Sequence, residues 1–210
     1  MKINLFIFDW SGVVSDDRLP VYEANMQVLR EYGKPVITFD EWLPRTTLTP
    51  VEFFANHGVF GDHDELFALY KKHLDEANMA GIVPRVYPDV HDVFNHLKSK
   101  GKEIAVLSSH PGENLVKEAD SYGVTEFISL ILGNSRDKVE GLLEVCGALK
   151  ENPECCLYIG DTIYDIQAAK GAGMHSGGVC QGYHVKERLE SENPDLVLES
   201  LSDLKKLDLD

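Results

Sequence analysis

The chain has 210 residues, 43% hydrophobic and 26% charged, a balance that points to a soluble globular protein and away from a disordered one. Its 20 Lys+Arg against 35 Asp+Glu leave a formal charge of −15. That surplus argues against a nucleic-acid or anionic-membrane partner, because such binding needs a clustered basic face.

The first apolar run, Ile3 to Phe8, is ended by Asp9. It is too short for a signal core or a membrane span, so a cytoplasmic protein is expected. Its near-continuous hydrophobicity predicts a central strand of a parallel sheet. After Gly12-Val13-Val14, apolar positions Val21, Ala24, Val28, Leu29 and Tyr32 recur at helical spacing, with Gly33 as a stop. Three more helix starts follow at Thr38…Glu41, Thr49…Glu52 with Pro50, and Asp62…Glu65, each pairing a cap with an acid three residues on. His63 falls within the last of these caps and is given no metal.

From Pro88 the pattern alternates. A helix near 89–100 closed by Gly101 precedes the strand Glu103–Leu107, a helix to about Tyr122, the strand Phe127–Ile131, a helix near 137–149 and the strand Cys156–Ile159. A helix near 163–172, strands near 175–179 and 196–198, and a last helix capped by Ser200 complete the chain. Alternation of this kind predicts an α/β fold, a Rossmann-like doubly wound parallel sheet. The chain then divides into a core, 1–14 plus 86–210, and a helical insertion, 15–85, placed as a lid where open α/β sheets bind ligands. Cys146, Cys155, Cys156 and Cys180 form no CxxC pair and read as reduced thiols. His57, His73, His91 and His96 are expected on helix surfaces.

Four features carry chemistry. Asp9 ends a buried strand before a glycine turn, where a carboxylate can be a nucleophile, a metal ligand or a turn former. In Gly160-Asp161-Thr162-Ile163-Tyr164-Asp165 a second strand ends on Gly-Asp, with another Asp four residues later. Like charges at that spacing destabilise a bare helix, so a hard cation such as Mg²⁺ would explain the pair, although acids near a helix start also favour the dipole. Ser108 ends a strand and Lys138 opens a helix; each is a weak signal alone.

In this order, with a helical insertion after the first strand, these features make the chain resemble the haloacid dehalogenase superfamily with a C1-type cap. Within it, Gly160-Asp161-Thr162…Asp165-Ile166…Ala169…Gly173 and Gly182-Tyr183 are most like the small-molecule phosphatases related to phosphoglycolate phosphatase and β-phosphoglucomutase. The resemblance implies a hydrolase of a small phosphorylated metabolite in which Asp9 attacks phosphorus, Ser108 hydrogen-bonds the phosphoryl group and Lys138 neutralises charge. It implies Mg²⁺ held by Asp9, the Ser11 carbonyl and Asp161, with Asp165 direct or through water. Substrate contacts would fall on Ser11, Gly12, Ser109 and His110, and on Arg45 in the loop Trp42–Leu48 of the insertion, where a guanidinium suits an anion; Arg136 is placed similarly.

Ser11 departs from the family, whose phosphatases usually carry there an Asp that protonates the leaving oxygen and activates water. Such an acid is worth about 10²–10⁴-fold, and a serine cannot replace it at neutral pH. A phosphatase with an undemanding leaving group, or with an acid borrowed from the cap or His110, accommodates Ser11. So do phosphonoacetaldehyde hydrolase-like chemistry, 2-haloacid dehalogenase-like chemistry and a weakly active or inactive binding protein. The intact Asp161…Asp165 pair argues against a metal-free dehalogenase, and Lys34, Lys71 and Lys72 match no cap motif for a Schiff base.

Overall fold

A computed structural model describes residues 2–208. The chain forms two compact units, residues 1–15 with 86–210, and residues 16–85. The first is built on a six-stranded sheet in which β1 (Leu5–Phe8), β4 (Glu103–Leu107), β5 (Leu130–Leu132), β6 (Cys156–Gly160), β7 (His175–Val179) and β8 (Leu196–Leu198) run in the order β5-β4-β1-β6-β7-β8. Every neighbouring pair is parallel. Two short strands, β2 (Ser15–Asp16) and β3 (Arg85–Val86), form a separate two-stranded sheet.

The sheet is covered on both faces, which explains why β1 reads as an unbroken apolar run. Alternate side chains go to opposite faces. Phe6 and Phe8 join Ile104, Val106, Leu157 and Ile159 in one core; this includes residues of α5 (Val90–Ser99) and α6 (Gly112–Tyr122). Leu5 and Ile7 join Ala105, Leu107 and Tyr158 in the other, with residues of α7 (Lys138–Leu149) and α8 (Ile163–Gly171). In register, Phe8 lies opposite Val106 on β4 and Ile159 on β6, so Asp9, Ser108 and Asp161 all follow the carboxyl ends of adjacent strands.

The second unit comprises α1 (Arg18–Glu31), α2 (Phe39–Trp42), a 3-10 turn Leu43–Arg45, α3 (Pro50–Asn56) and α4 (His63–Met79). Thr38, Thr49 and Asp62 each accept backbone N–H groups as N-caps. These bonds satisfy donors that a helix start would otherwise leave unpaired. Tyr22, Phe39 and Trp42 meet as an aromatic cluster with ring centroids 5.4–5.6 Å apart.

Several expectations are corrected. The strand expected at 127–131 lies at Leu130–Leu132, because Phe127 is drawn into a 3-10 turn, Thr125–Phe127, against the Phe94 ring. The last helix is a six-residue 3-10 helix, Leu201–Lys206, and the Ser200 side chain makes no cap. A short helix, α9 (Lys186–Glu190), was not anticipated. His73 is buried rather than on a helix surface; its Nδ1 is 2.8 Å from Glu76 Oε2 and its Nε2 2.9 Å from Glu31 Oε1. All four cysteines are free, with the Cys146 and Cys156 sulfurs 3.3 Å apart in the core. Among the described residues no helix is long and apolar enough to cross a membrane.

Candidate active site

Asp9 continues β1, its N–H donating to the Ile159 carbonyl at 2.9 Å. The carboxylate is fixed at both oxygens: Trp10 N–H donates to Oδ1 at 2.8 Å, and Lys138 Nζ donates to Oδ2 at 2.7 Å. Lys138 opens α7 immediately after Asp137, whose side chain caps that helix by accepting from Val139 and Glu140 N–H. The same ammonium donates to Asp165 Oδ1 at 2.5 Å. Asp165 is the third residue of α8. Its Oδ2 accepts from the Thr162 N–H and hydroxyl, and Tyr158 OH donates to Oδ1 at 3.1 Å.

Asp161 follows β6 directly. Its Oδ2 accepts from Tyr183 N–H at 2.6 Å, and its carbonyl accepts from His184 N–H. Two glycines let the backbone come this close. A Cβ on Gly12, whose φ is +73°, or on Gly182 would overlap the Asp161 carboxylate, and a positive φ is itself costly for other residues.

Asp9, Asp161 and Asp165 are all buried, and each offers an oxygen within 4.8 Å of the others'. Burial raises Asp9 and lifts Asp161 well above the ordinary carboxylate range; Lys138 partly counters the rise at Asp9. At Asp165 burial also pushes upward, but Lys138 and Thr162 outweigh it and hold the group low. Burial works against the charge on Lys138, yet Asp165 and Asp9 hold its ammonium well above the usual lysine range. Three carboxylates gather here, and the one ammonium among them bonds only Asp9 and Asp165. Hard oxygen donors with excess negative charge suit a divalent cation such as Mg²⁺, so the residues present fit a metal.

Ser108 is buried at the end of β4, where its backbone bonds to Leu132 and Ser135 pin the loops after β4 and β5 together. Its Oγ accepts from His110 N–H at 3.3 Å, which leaves the hydroxyl hydrogen to donate elsewhere. Ser11 is partly exposed and bridges to Ser15. Ser109 and Arg136 are exposed and His110 is half-buried. Arg45 belongs to the helical unit, exposed at the end of a 3-10 turn rather than in an open loop.

Sequence reasoning missed Tyr158, Thr162 and His184. Thr162 was legible, since Thr162 and Asp165 have capping-box spacing. Tyr158 looked like one more strand residue. His184 is buried, accepts the Ile163 N–H at 3.1 Å on Nδ1, and is pushed down to about 4 by that burial, so its ring stays neutral at the start of α8.

The chain matches the haloacid dehalogenase-like hydrolase family over residues 6–179, and it belongs to that family. It is 30% identical to the phosphoglycolate phosphatase of Salmonella typhimurium over 141 residues, which is 65% of this chain and 55% of the relative; the chain thus spans about half the length of that protein. It is 26% identical to the phosphoglycolate phosphatase of Psychrobacter arcticus over 218 aligned positions, covering 97% of this chain and 95% of the other. A solved Bacteroides fragilis structure named for the same family has a TM-score of 0.83 at 24% identity, covering 97% of this chain and all of its own, which shows the shared fold.

Proposed function

We propose that the protein is a Mg²⁺-dependent phosphatase that hydrolyses a phosphate monoester of a small metabolite in the cytoplasm, through an aspartyl-phosphate on Asp9. The observation that carries this reading is the Lys138 ammonium held between the Asp9 and Asp165 carboxylates, 2.7 and 2.5 Å away. An Asp9 carboxylate so held is presented to an incoming phosphorus with part of its charge neutralised, and phosphoryl transfer depends mainly on such positioning and neutralisation. The relatives named phosphoglycolate phosphatase support the substrate class.

In the first step an Asp9 oxygen forms a bond to phosphorus as the bond to the leaving oxygen breaks. Ser108 Oγ–H donates to the phosphoryl oxygens, and Lys138 offsets charge on the side facing Asp9. Mg²⁺, held by Asp9, the Ser11 carbonyl and Asp161 with Asp165 direct or through water, would supply further charge neutralisation on the phosphoryl group. In the second step water attacks phosphorus as the phosphorus–oxygen bond to Asp9 breaks, releasing the carboxylate and inorganic phosphate, with the water's proton passing to the phosphate or to solvent. Ser11 offers no acid to the departing oxygen, so alkoxide leaving groups suffer most. Ser11, Gly12, Ser109 and His110 are assigned to substrate contact at the core, and Arg45 to an anionic group of the substrate from the inserted cap.

Phosphate release from p-nitrophenyl phosphate and from a panel of phosphorylated metabolites, with and without Mg²⁺, tests the reading. Mg²⁺-dependent turnover absent in Asp9→Asn is expected, with a bias toward the activated ester. Ser11→Asp should raise turnover of alkyl phosphates by about 10²-fold, the worth of a positioned general acid, and leave p-nitrophenyl phosphate nearly unchanged. No turnover of any ester by the wild type overturns the proposal.

A further inference from the structure

We propose that Glu118, far from the sequence motifs, is a positioning residue that holds Asp9 in its reactive orientation through Trp10. This inference rests on the reading of Asp9 as the nucleophile. Trp10 is fully buried, and its indole Nε1–H donates to Glu118 Oε2 at 2.8 Å. The other oxygen, Oε1, accepts from Ser15 Oγ at 2.8 Å and from Tyr122 OH at 2.6 Å. Tyr122 also stacks on Trp10, with ring centroids 5.9 Å apart and planes 10° from parallel.

Trp10 and Ser15 are the two ends of the loop that leaves the nucleophile. Between them the backbone folds onto itself: the N–H groups of Val13, Val14 and Ser15 converge on the Trp10 carbonyl, and Gly12 N–H donates to the Ser15 carbonyl at 2.8 Å. One carboxylate on α6 therefore grips both ends of this turn. The Trp10 peptide is held by its carbonyl and its indole, and its own N–H is the donor to Asp9 Oδ1. With that donor fixed, the Asp9 carboxylate cannot rotate about its terminal bond without losing one of its two anchors, Trp10 N–H or Lys138. Releasing the indole loosens the turn and with it the angle at which Asp9 meets phosphorus, an error to which rate is far more sensitive than binding.

The test compares wild type, Glu118→Ala and Glu118→Gln as full chains. Glutamine can accept from the indole with its carbonyl while its amide donates to the two hydroxyls, which turn to accept. With p-nitrophenyl phosphate, Glu118→Ala should lose about 10- to 100-fold in kcat with KM little changed, and Glu118→Gln should restore most of the loss. In nitrogen-15 correlation spectra the Trp10 indole and backbone amide signals, assigned with Trp10→Phe, should move in Glu118→Ala and return toward wild type in Glu118→Gln. Wild-type kcat in Glu118→Ala despite a displaced indole overturns the proposal, as does an equal fall in both variants. If Glu118→Ala does not fold, Ser15→Ala and Tyr122→Phe each remove one donor to Oε1; a fall in kcat with KM unchanged supports the clamp, and wild-type kcat in both overturns it. If wild type turns over no ester, the phosphatase reading fails separately; the clamp then stands or falls on whether the Trp10 backbone amide moves in Glu118→Ala.

Discussion

The α/β unit buries a cluster of three carboxylates, whereas the helical unit leaves large apolar side chains in water. Asp9, Asp161 and Asp165 are at most 7% exposed in the first unit. In the second, Met79, Phe60 and Leu48 are 82, 75 and 63% exposed, while the most exposed large hydrophobics of the α/β unit reach only 45%. Size explains part of this, since a unit covering residues 16–85 has too little interior to cover all its apolar surface. Chemistry explains the rest. Burying three carboxylates around one lysine costs stability, and such a cost is kept where a low-dielectric, preorganised site is needed.

The contrast can be broken at its charged centre. Lys138→Met leaves Asp9 and Asp165 buried without their ammonium and should cost about 3–5 kcal/mol of unfolding free energy, as removal of one partner from a buried ion pair does. Urea unfolding checks this; a loss of less than about 1 kcal/mol, the worth of a surface pair, would mean that these carboxylates are solvated and the contrast is false.

The metal sharpens it next. Because burial raises Asp161 and Asp9, the stability they contribute is full below the unfolded value of 3.8 and is lost as pH rises through their folded values. Asp165, held low, runs the other way, contributing above 3.8 and losing its share as pH falls through its folded value. Protons on the raised Asp9 and Asp161 compete with a cation, and that competition fades as pH rises. Mg²⁺ at a hundredfold over its Kd should add about 2.7 kcal/mol near neutrality and less near pH 5. Calorimetric melts with Mg²⁺ and with EDTA measure both, and equal shifts at the two pH values would contradict the raised carboxylates. The smallest effect belongs to the helical unit. Met79→Gln should change stability by no more than about 0.5 kcal/mol, by urea unfolding, and a larger loss would show that this side chain is covered in solution.

The candidate site was legible where it lies at the end of a local pattern. Asp9 and Asp161 stood out because an apolar strand stopped at each, and Lys138 because it opened a helix. Tyr158, His184 and Glu118 were not, since nothing beside them in the chain marks them. Their roles come from bonds to Asp165, Ile163 and Trp10. The shift of β5 and the burial of His73 have the same origin: Phe127 is claimed by the Phe94 ring, and His73 by Glu31 on another helix.

The sequence by itself determined the α/β alternation, the helix starts at Thr38, Thr49 and Asp62, and the strand-end carboxylates. Periodicity, capping and turn formation depend on residues a few positions apart. Only the tertiary structure decided that Lys138 bridges Asp9 and Asp165, that Gly12 and Gly182 press against Asp161, and that Glu118 holds Trp10. Lys138 and Asp9 are separated by 129 positions and Trp10 and Glu118 by 108. Such pairs meet only once the sheet order places β1 between β4 and β6, and a buried charge acquires its partner, and its shifted protonation, from that packing.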